Sequence, residues 1–319
     1  MDALGWTDVI LRSTTPTEAW QAIFQQLNDI AAHATSPKEV HNQTVAPDRL
    51  LAESGWELWE AYSVSAERTA ARLKRWYAQP AASGRATLIL DALSLRELRV
   101  LLEGAAAHGI KPSEVTVTGS EVPSDTNRFA QALGVPTRSS LANNGKPGGF
   151  VLAQTYTDVL SVPFQDCLGS VPYENNIFLW HTFIDDLIHQ QKSPEQVYKQ
   201  ASDMLKDAGF WALVDRMRQG RELVITGDHG YATSKLFSDE ITDKESIQVM
   251  RETFSASRTK PASTPWENRF MPPLVLTENK QHVVIGQRKW SVQGSFPDLC
   301  HGGLSLLEIA APYIKLPAK

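Results

Sequence analysis

The stretch Leu-Val-Ile-Thr-Gly-Asp-His-Gly at residues 223–230 decides the fold. It begins with an apolar run of the length of a buried strand, and a glycine ends that run. Asp228 and His229 then stand between Gly227 and Gly230. Core packing does not explain two ionisable residues between glycines, so we expect them at the carboxyl edge of an open α/β sheet, where ligand sites form.

Strand and helix patterns alternate on both sides of this stretch. Apolar runs predict strands at residues 86–91, 115–118, 150–154, 177–180 and 222–226. Ser94 and Glu97 have capping-box spacing after the first of these runs, and residues 194–217 have the pattern of a single helix. The alternation predicts an α/β fold with a central, mostly parallel sheet and helices on both faces.

Residues 1–84 are expected to form a helical segment in front of an α/β domain at 85–319. Five apolar residues recur at helical spacing behind Thr17, a predicted N-cap: Trp20, Ile23, Phe24, Leu27 and Ile30. A second helical stretch is expected over 47–78, with Pro47 in its first turn.

Residues 232–273 break the alternation, because they are polar, charged and rich in proline. Such a segment is typical either of a lid or substrate loop or of a surface insertion without a role. A hairpin that turns at Asn279 and Lys280 is expected over 274–290.

Composition excludes several classes of protein. The chain has 319 residues, a formal net charge of −5 and only two cysteines. The charge argues against a dedicated duplex-DNA binder, and the cysteine count excludes a disulfide framework or a cysteine-based zinc motif. No apolar run reaches membrane-spanning length, and the first ten residues lack a basic region followed by an apolar one. We therefore expect a soluble, cytoplasmic protein that does not bind a membrane.

Acidic and histidine side chains from four separate segments are candidate metal ligands: Asp91, Asp185, His189, Asp228, His229 and His301. Each has an ordinary alternative when taken alone, such as a helix cap, a surface pair or a solvated loop histidine. However, all of them follow strands or lie at loop–helix junctions, and Asp185 and His189 share one face of a helix. Their convergence predicts a site for two divalent metals, with zinc favoured and manganese as the alternative.

Two-metal phosphoryl transfer often uses a hydroxyl nucleophile whose pKa a metal lowers. The segment at 123–128 offers two hydroxyls, on Ser124 and Thr126. Both are chemically suitable, although Ser124 is expected to cap the following helix. Thr126 and Ser124 are therefore both candidates for the nucleophile.

These segments together resemble the PglZ domain, a branch of the alkaline phosphatase superfamily. The resemblance covers residues 86–316 and rests on an Asp-Ala-Leu after a strand, a Pro-Ser-x-Thr segment, an Asp-x-x-x-His element, an Asp-His-Gly and a final His-Gly-Gly-Leu-Ser-x-x-Glu. These elements begin, in chain order, at Asp91, Pro123, Asp185, Asp228 and His301.

The resemblance implies a division of the ligands between two ions. Asp91, Thr126, Asp228 and His229 would hold the first ion, with Thr126 as nucleophile. Asp185, His189 and His301 would hold the second. The superfamily implies chemistry on phosphomonoesters, phosphodiesters or sulfate esters, and this sequence lacks the sulfatase pattern Cys-x-Pro-x-Arg.

The function expected from the sequence is therefore a zinc- or manganese-dependent phosphodiesterase. Its substrate would be a nucleotide or oligonucleotide, and the resemblance implies a setting in phage defence with defence-system protein partners. Asn127, Arg128 and Lys235 are candidates for substrate binding. The alternatives are a phosphomonoesterase of the same fold and a non-catalytic scaffold or nucleotide-sensing subunit of a defence complex.

Overall fold

Helices form the first part of the chain in the computed structural model, which describes residues 3–145, 147–152, 154–190, 192–237, 239–267 and 269–319. The helices of this part are α1 (Ala3–Leu11), α2 (Pro16–His33), α3 (Pro37–Glu53), α4 (Trp56–Ser65) and α5 (Thr69–Ala78). The predicted helical character of this segment is confirmed.

The two predicted helix starts in this segment were wrong. Helix α2 is capped by Thr15, whose side chain accepts a hydrogen bond from the Glu18 amide, and Pro16 takes the first helical position. Thr17 therefore lies inside the helix. Pro47 also lies inside a helix, because α3 begins at Pro37 and its buried face continues past this proline.

The rest of the described chain alternates strands and helices as predicted. Its elements are β1 (Gly84–Leu90), α6 (Leu98–Ala107), β2 (Glu114–Gly119), α7 (Thr126–Ala132), β3 (Tyr156–Leu160), β4 (Asn176–His181), α8 (Phe183–His189), α9 (Pro194–Lys206), α10 (Ala208–Met217), β5 (Arg221–Thr226), β6 (Ala232–Thr233), β7 (Asp239–Glu240), α11 (Lys244–Phe254), β8 (Thr259–Pro261), β9 (Val275–Glu278), β10 (Gln281–Val284), β11 (Arg288–Lys289), β12 (Leu299–Cys300), α12 (Leu306–Ile309) and β13 (Ala310–Leu316).

Six strands form the central sheet in the order β2-β13-β5-β1-β4-β3. Strand β1 pairs in parallel with β4 and with β5, and β3 pairs in parallel with β4. Strand β13 runs antiparallel between β2 and β5. The predicted α/β fold with a mostly parallel sheet is thus confirmed.

Successive residues of one strand face opposite sides of this sheet. Leu88 and Leu90 of β1 belong to a large core shared with the N-terminal helices. Ile89 belongs to a second core, which includes Trp76 of α5 and Phe129 of α7. Helical residues therefore cover both faces of the sheet, and the ends of the strands remain uncovered.

Two local predictions in this part were wrong. The apolar run at 150–154 contains no strand among its described residues, and residue 153 lies outside them; the edge strand is instead β3, which begins at Tyr156. The single helix predicted over 194–217 is two helices, because Asp207 is extended and its side chain caps α10. The hairpin turn was correct, with Asn279 and Lys280 at positive φ between β9 and β10.

The described residues of the 232–273 segment include α11 and β8. Strand β8 pairs with β10, so this segment joins the hairpin in a three-stranded sheet. No helix in the described residues has both the length and the apolar character needed to cross a membrane. The predicted domain boundary at residue 84 stays a prediction.

Asp48 of α3 links the helical segment to the end of the chain. Its fully buried carboxylate accepts hydrogen bonds from the Leu306 amide, at 2.7 Å, and from the Gln287 side chain, at 2.5 Å. Burial raises the pKa of Asp48 to about 7. This carboxylate fixes the start of α12 against the N-terminal helices.

Replacing Asp48→Ala is expected to lower the free energy of unfolding by about 2–3 kcal/mol, because two buried donors lose their acceptor. Asp48→Asn is the matched control and should cost far less. The introduced amide can donate to the Oε1 of Gln287, which has no partner among the described groups, once the Gln287 side-chain amide flips. Urea denaturation monitored by circular dichroism measures both changes, and equal losses in the two variants would contradict the role of Asp48.

Candidate metal centre

The parallel pairing of three strands brings the predicted ligands to one edge of the sheet. Asp91 directly follows β1, and Asp228 lies two residues after the end of β5. Asp185 lies in the first turn of α8, which follows β4. Its amide donates a hydrogen bond to the carbonyl of Asp91 at 3.2 Å, so α8 is tied to the end of β1.

Asp91, Asp228 and His229 form one cluster of fully buried side chains. Their ligand atoms all lie within 4.8 Å of one another. The Nε2 atom of His229 is 3.4 Å from Asp228 Oδ2 and 3.8 Å from Asp91 Oδ1. The Ala92 amide holds the other oxygen of Asp228 at 3.0 Å. This arrangement aims oxygen and nitrogen atoms from two strands at one point.

His229 presents the correct nitrogen to this cluster. Its Nδ1 lies 2.9 Å from the carbonyl oxygen of Gly230, which only accepts hydrogen bonds, so Nδ1 carries a proton. In the neutral ring, Nε2 then keeps its lone pair and faces the carboxylates. A backbone acceptor of this kind fixes the ring of a metal-binding histidine.

Asp185, His229 and His301 form a second cluster within the same 4.8 Å limit. His301 Nε2 lies 3.7 Å from Asp185 Oδ1, and its ring stacks on His229 with centroids 4.5 Å apart. His189, more exposed, brings its Nε2 to 3.4 Å from the same Asp185 oxygen. The structure therefore assembles all six predicted carboxylate and imidazole side chains, with His229 between the two clusters.

The buried negative charge shifts the pKa values of the cluster. Burial, reinforced by Asp228, raises the pKa of Asp91 to about 7. Burial and then Asp91 raise that of Asp185. Burial opposes the charged form of His229, but the carboxylates of Asp228, Asp91 and Asp185 outweigh it and raise its pKa to about 9. Desolvation and the neighbouring imidazoles lower the pKa of His301 to about 3.

The donor atoms at this edge fit divalent cations. Asp228 Oδ2, Asp185 Oδ1 and His301 Nδ1 are buried and have no hydrogen-bond partner among the described groups. Leaving such atoms unpaired is costly unless an ion or water satisfies them. Mixed carboxylate and imidazole donors suit zinc or manganese.

Thr126 is the hydroxyl that faces the cluster. It begins α7, and its Oγ1 donates a hydrogen bond to Asp91 Oδ1 at 3.2 Å and lies 3.3 Å from His229 Nε2. Ser124 is fully buried; it donates to the carbonyl of Gly303 at 2.8 Å and accepts from the Gly302 amide at 3.0 Å. The expectation that Ser124 caps the helix was wrong, because the Asp125 side chain is the cap.

A buried ion pair supports the loop that carries His301. Arg258, from the 232–273 segment, donates to both oxygens of Glu308, at 3.1 and 2.8 Å. Glu308 also accepts from the Gly303 amide at 3.0 Å. A side chain at Gly303 would collide with the Arg258 guanidinium, and Gly302 has a φ of +94°. The two glycines therefore admit Arg258 and shape the turn behind His301.

Sequence reasoning missed two residues that contact Asp91. Arg138 forms an ion pair with Asp91 Oδ2, and the indole nitrogen of Trp180 donates to the same oxygen at 3.0 Å. Trp180 ends the apolar run predicted as a strand over 177–180, and nothing in that run indicates a polar contact of its side chain. Arg138 begins a short 3₁₀ helix, 47 residues after Asp91, and no local pattern in the sequence marks it.

A cavity of about 570 Å³ opens beside Thr126, Asp185, His189 and His301. Asn127 lines this cavity, whereas Arg128 and Lys235 are not among its lining residues. Arg128 bonds Gln131, and Lys235 pairs with Asp298 at 2.5 Å. Substrate binding by these three residues stays a prediction. The 232–273 segment contributes residues 256–259 to the wall.

No protein-family model matches the chain, and no curated protein matches it. It is similar to phosphonoacetate hydrolase from Sinorhizobium meliloti 1021 in complex with phosphonoformate, at 14% identity and a TM-score of 0.40, with 73% of this chain and 89% of that chain covered. It is also similar to murine ectonucleotide pyrophosphatase/phosphodiesterase 5 in an inactive form with AMP, at 13% identity and a TM-score of 0.44, covering 73% of this chain and 87% of that chain. Both likenesses are distant, so the chemistry of the site rests on this chain's own residues.

Metal binding at pH 7 is expected to release protons, because His229, with a pKa of about 9, is protonated there and Asp91, with a pKa of about 7, is partly so. Ligand atoms must lose these protons to bind a cation. The apparent affinity for zinc should therefore rise with pH up to about 9.

Calorimetric titration of metal-free protein with zinc, in two buffers of different ionisation enthalpy, measures the released protons. His108→Gln removes a histidine that stacks on Trp211 outside the centre and should release the same number. A binding heat that does not depend on the buffer would rule out the predicted proton release.

Proposed function

We propose that the chain is a metal-dependent phosphoester hydrolase, and that Thr126 is its nucleophile. The observation that carries the proposal is the position of the Thr126 hydroxyl, within hydrogen-bond reach of both Asp91 and His229. Asp91, Asp228 and His229 would hold one divalent ion, and Asp185, His189 and His301 the other. Zinc is the preferred metal, with manganese as the alternative.

Ions bound at these two clusters would neutralise charge on the phosphoryl oxygens and favour the ionised form of a nearby hydroxyl. Asp91 orients the hydroxyl of Thr126 by accepting its hydrogen bond. Attack by Oγ1, which gives up its proton to solvent, forms a bond to phosphorus and breaks the bond to the leaving alcohol or nucleotide, whose oxygen takes up a proton from solvent. Hydrolysis of the resulting phosphothreonine then restores the free side chain.

The cavity favours a phosphodiester as substrate. Among the described residues that line it, the one arginine or lysine is Arg258, whose guanidinium is bound to Glu308 and to backbone carbonyls. A wall with no other strong cation suits the single negative charge of a diester better than a monoester dianion. Ile188, Pro297 and Leu299 add apolar surface that can receive a leaving group such as a nucleoside. The proposed substrate is therefore a nucleotide or oligonucleotide diester.

One observation favours a phosphomonoesterase instead. Arg138 reaches the centre from the side of Asp91, and a second cation beside the ions would help hold a doubly charged phosphate. The placement of the chain in phage defence, with defence-system partners or as a non-catalytic nucleotide sensor, rests on the resemblance to the PglZ domain and stays a prediction.

Hydrolysis of bis-(p-nitrophenyl) phosphate and of p-nitrophenyl phosphate by the metal-loaded protein tests the reaction and the substrate class. We expect turnover that disappears after chelation and in Asp228→Ala, with preference for the diester. Preference for the monoester would transfer the assignment to a phosphatase. If neither ester nor a panel of dinucleotides is cleaved although metal is bound, the hydrolase proposal is wrong and the sensor alternative is favoured.

Thr126→Ala is expected to lower kcat by roughly 10³-fold or more while the bound metal is retained. Thr126→Ser, which keeps the hydroxyl, is the matched control and should keep measurable turnover. Metal content by mass spectrometry separates loss of the nucleophile from loss of the ions. Full activity in Thr126→Ala would show that another group attacks phosphorus.

A further inference from the structure

A second cavity, of about 330 Å³, lies where the N-terminal helices meet the α/β part of the chain. The C-terminal end of α2 and the start of α3 form one side, and α6 and α9 form the other. None of its lining residues lines the cavity at the metal centre. Its volume is at the lower end of the range for small-molecule sites.

Arg96 is a buried lining residue of this cavity with unused hydrogen-bonding capacity. It is 3% exposed, and its Nε and Nη2 atoms have no acceptor among the described groups. Nη1 donates to Ser94 Oγ at 3.2 Å and to the carbonyl of Tyr231, and the guanidinium lies over the Tyr231 ring, 4.8 Å from its centroid. An arginine cannot lose its proton in a protein, so its remaining N–H groups call for an acceptor.

The acidic residues of this cavity do not supply that acceptor. Glu97 uses one carboxylate oxygen for the Tyr231 hydroxyl, at 2.7 Å, and the other for the Ser94 amide, at 3.0 Å. Glu103 pairs with Arg99 at 2.7 Å. The positive charge of Arg96 therefore has no bonded carboxylate among the described residues.

Further positive charge surrounds the cavity. Lys206 of α9 lies along its wall, and Lys199 lies there as well but is paired with Asp203 at 2.5 Å. Ser36 and Pro37, at the start of the 17-residue helix α3, also line it. At this helix start the Ser36 hydroxyl accepts from the Glu39 amide, and the Glu39 carboxylate accepts from the Thr35 amide at 2.7 Å. The positive charge available to a ligand is therefore that of Arg96 and Lys206. Ala31, Val40 and Val100 leave part of the wall apolar.

We propose that this cavity binds a small oxyanion ligand, a phosphate- or carboxylate-bearing molecule, whose oxygens accept the unpaired N–H groups of Arg96. A guanidinium pairs with either oxyanion through two parallel hydrogen bonds. The apolar part of the wall would contact the organic part of the ligand. The site shares no lining residue with the cavity at the metal centre, and the proposal does not rest on the hydrolase activity proposed for that centre.

Calorimetric titration of the metal-free full chain with inorganic phosphate, AMP and benzoate tests this site and separates the two ligand chemistries. Saturable binding of at least one probe is expected, equally in wild type and in Asp228→Ala. Binding of phosphate and AMP alone assigns a phosphate ligand, and binding of benzoate alone assigns a carboxylate. No binding of any probe at about 10 mM, beyond the weak end of specific affinities, overturns the proposal.

Variants locate the site. Arg96→Met should weaken binding at least tenfold, because the charged hydrogen bonds are lost. Lys206→Glu, an exposed change at the cavity wall, should weaken binding several-fold even if Arg96→Met fails to fold. Lys74→Glu makes the same change on α5, away from the cavity, and should leave binding unchanged. Binding that survives both cavity variants, or that is lost in folded Asp228→Ala, places the anion elsewhere and overturns the proposal.

Discussion

The structure depends on one constraint: three carboxylates are buried at the carboxyl edge of a parallel sheet and require positive charge. Strand β1 pairs in parallel on both sides, so the chain leaves three neighbouring strands at nearly the same point. Asp91 and Asp228 are fully buried there, and Asp185, mostly buried, lines the adjacent cavity. Two positive groups, Arg138 and protonated His229, neutralise part of this negative charge. The carboxylate oxygens without a partner among the described groups mark the remaining negative charge, which divalent cations would neutralise in the proposed metal centre.

A second set of buried carboxylates holds the backbone around His301 in place. Glu308 binds Arg258 and the amide of Gly303, and Asp48 binds the amide of Leu306. The loop of His301 is therefore held from two directions, by the 232–273 segment and by the N-terminal helices. This explains why the final motif extends to a glutamate seven residues beyond its histidine. The glutamate touches no predicted ligand of the centre, yet its bonds set the backbone on which His301 stands.

The sequence was sufficient for most of the sheet and for bringing the candidate ligands to one edge of it, because both depend on local patterns. Apolar strands followed by Asp91 or Asp228 have a readable period, and parallel strands bring their ends together wherever they pair. The sequence did not predict the correct element where the packing of the folded chain overrides a local pattern. The run at 150–154 is apolar enough for a strand, but its described residues pack as a loop, and the strand follows at Tyr156.

Side chains that act over long sequence separations were also invisible. Arg138 and Arg96 are ordinary arginines in the sequence, and only the fold shows that one meets Asp91 and that the other is buried with unpaired donors. The role of Asp207 as a helix cap was missed for another reason. An amphipathic pattern continues through this residue, so the sequence does not show that it divides two helices.

The antiparallel strand β13 has a consequence for how the chain is made. It lies inside the sheet, between β2 and β5, although it is built from residues 310–316. During synthesis, β2 leaves the ribosome nearly two hundred residues before the strand that joins it to the others. Strand β5 likewise has no partner on its β13 side until β13 has been made. The central sheet therefore cannot close before residues 310–316 have been made, and until then both β2 and the apolar edge of β5 lack the strand that pairs with them.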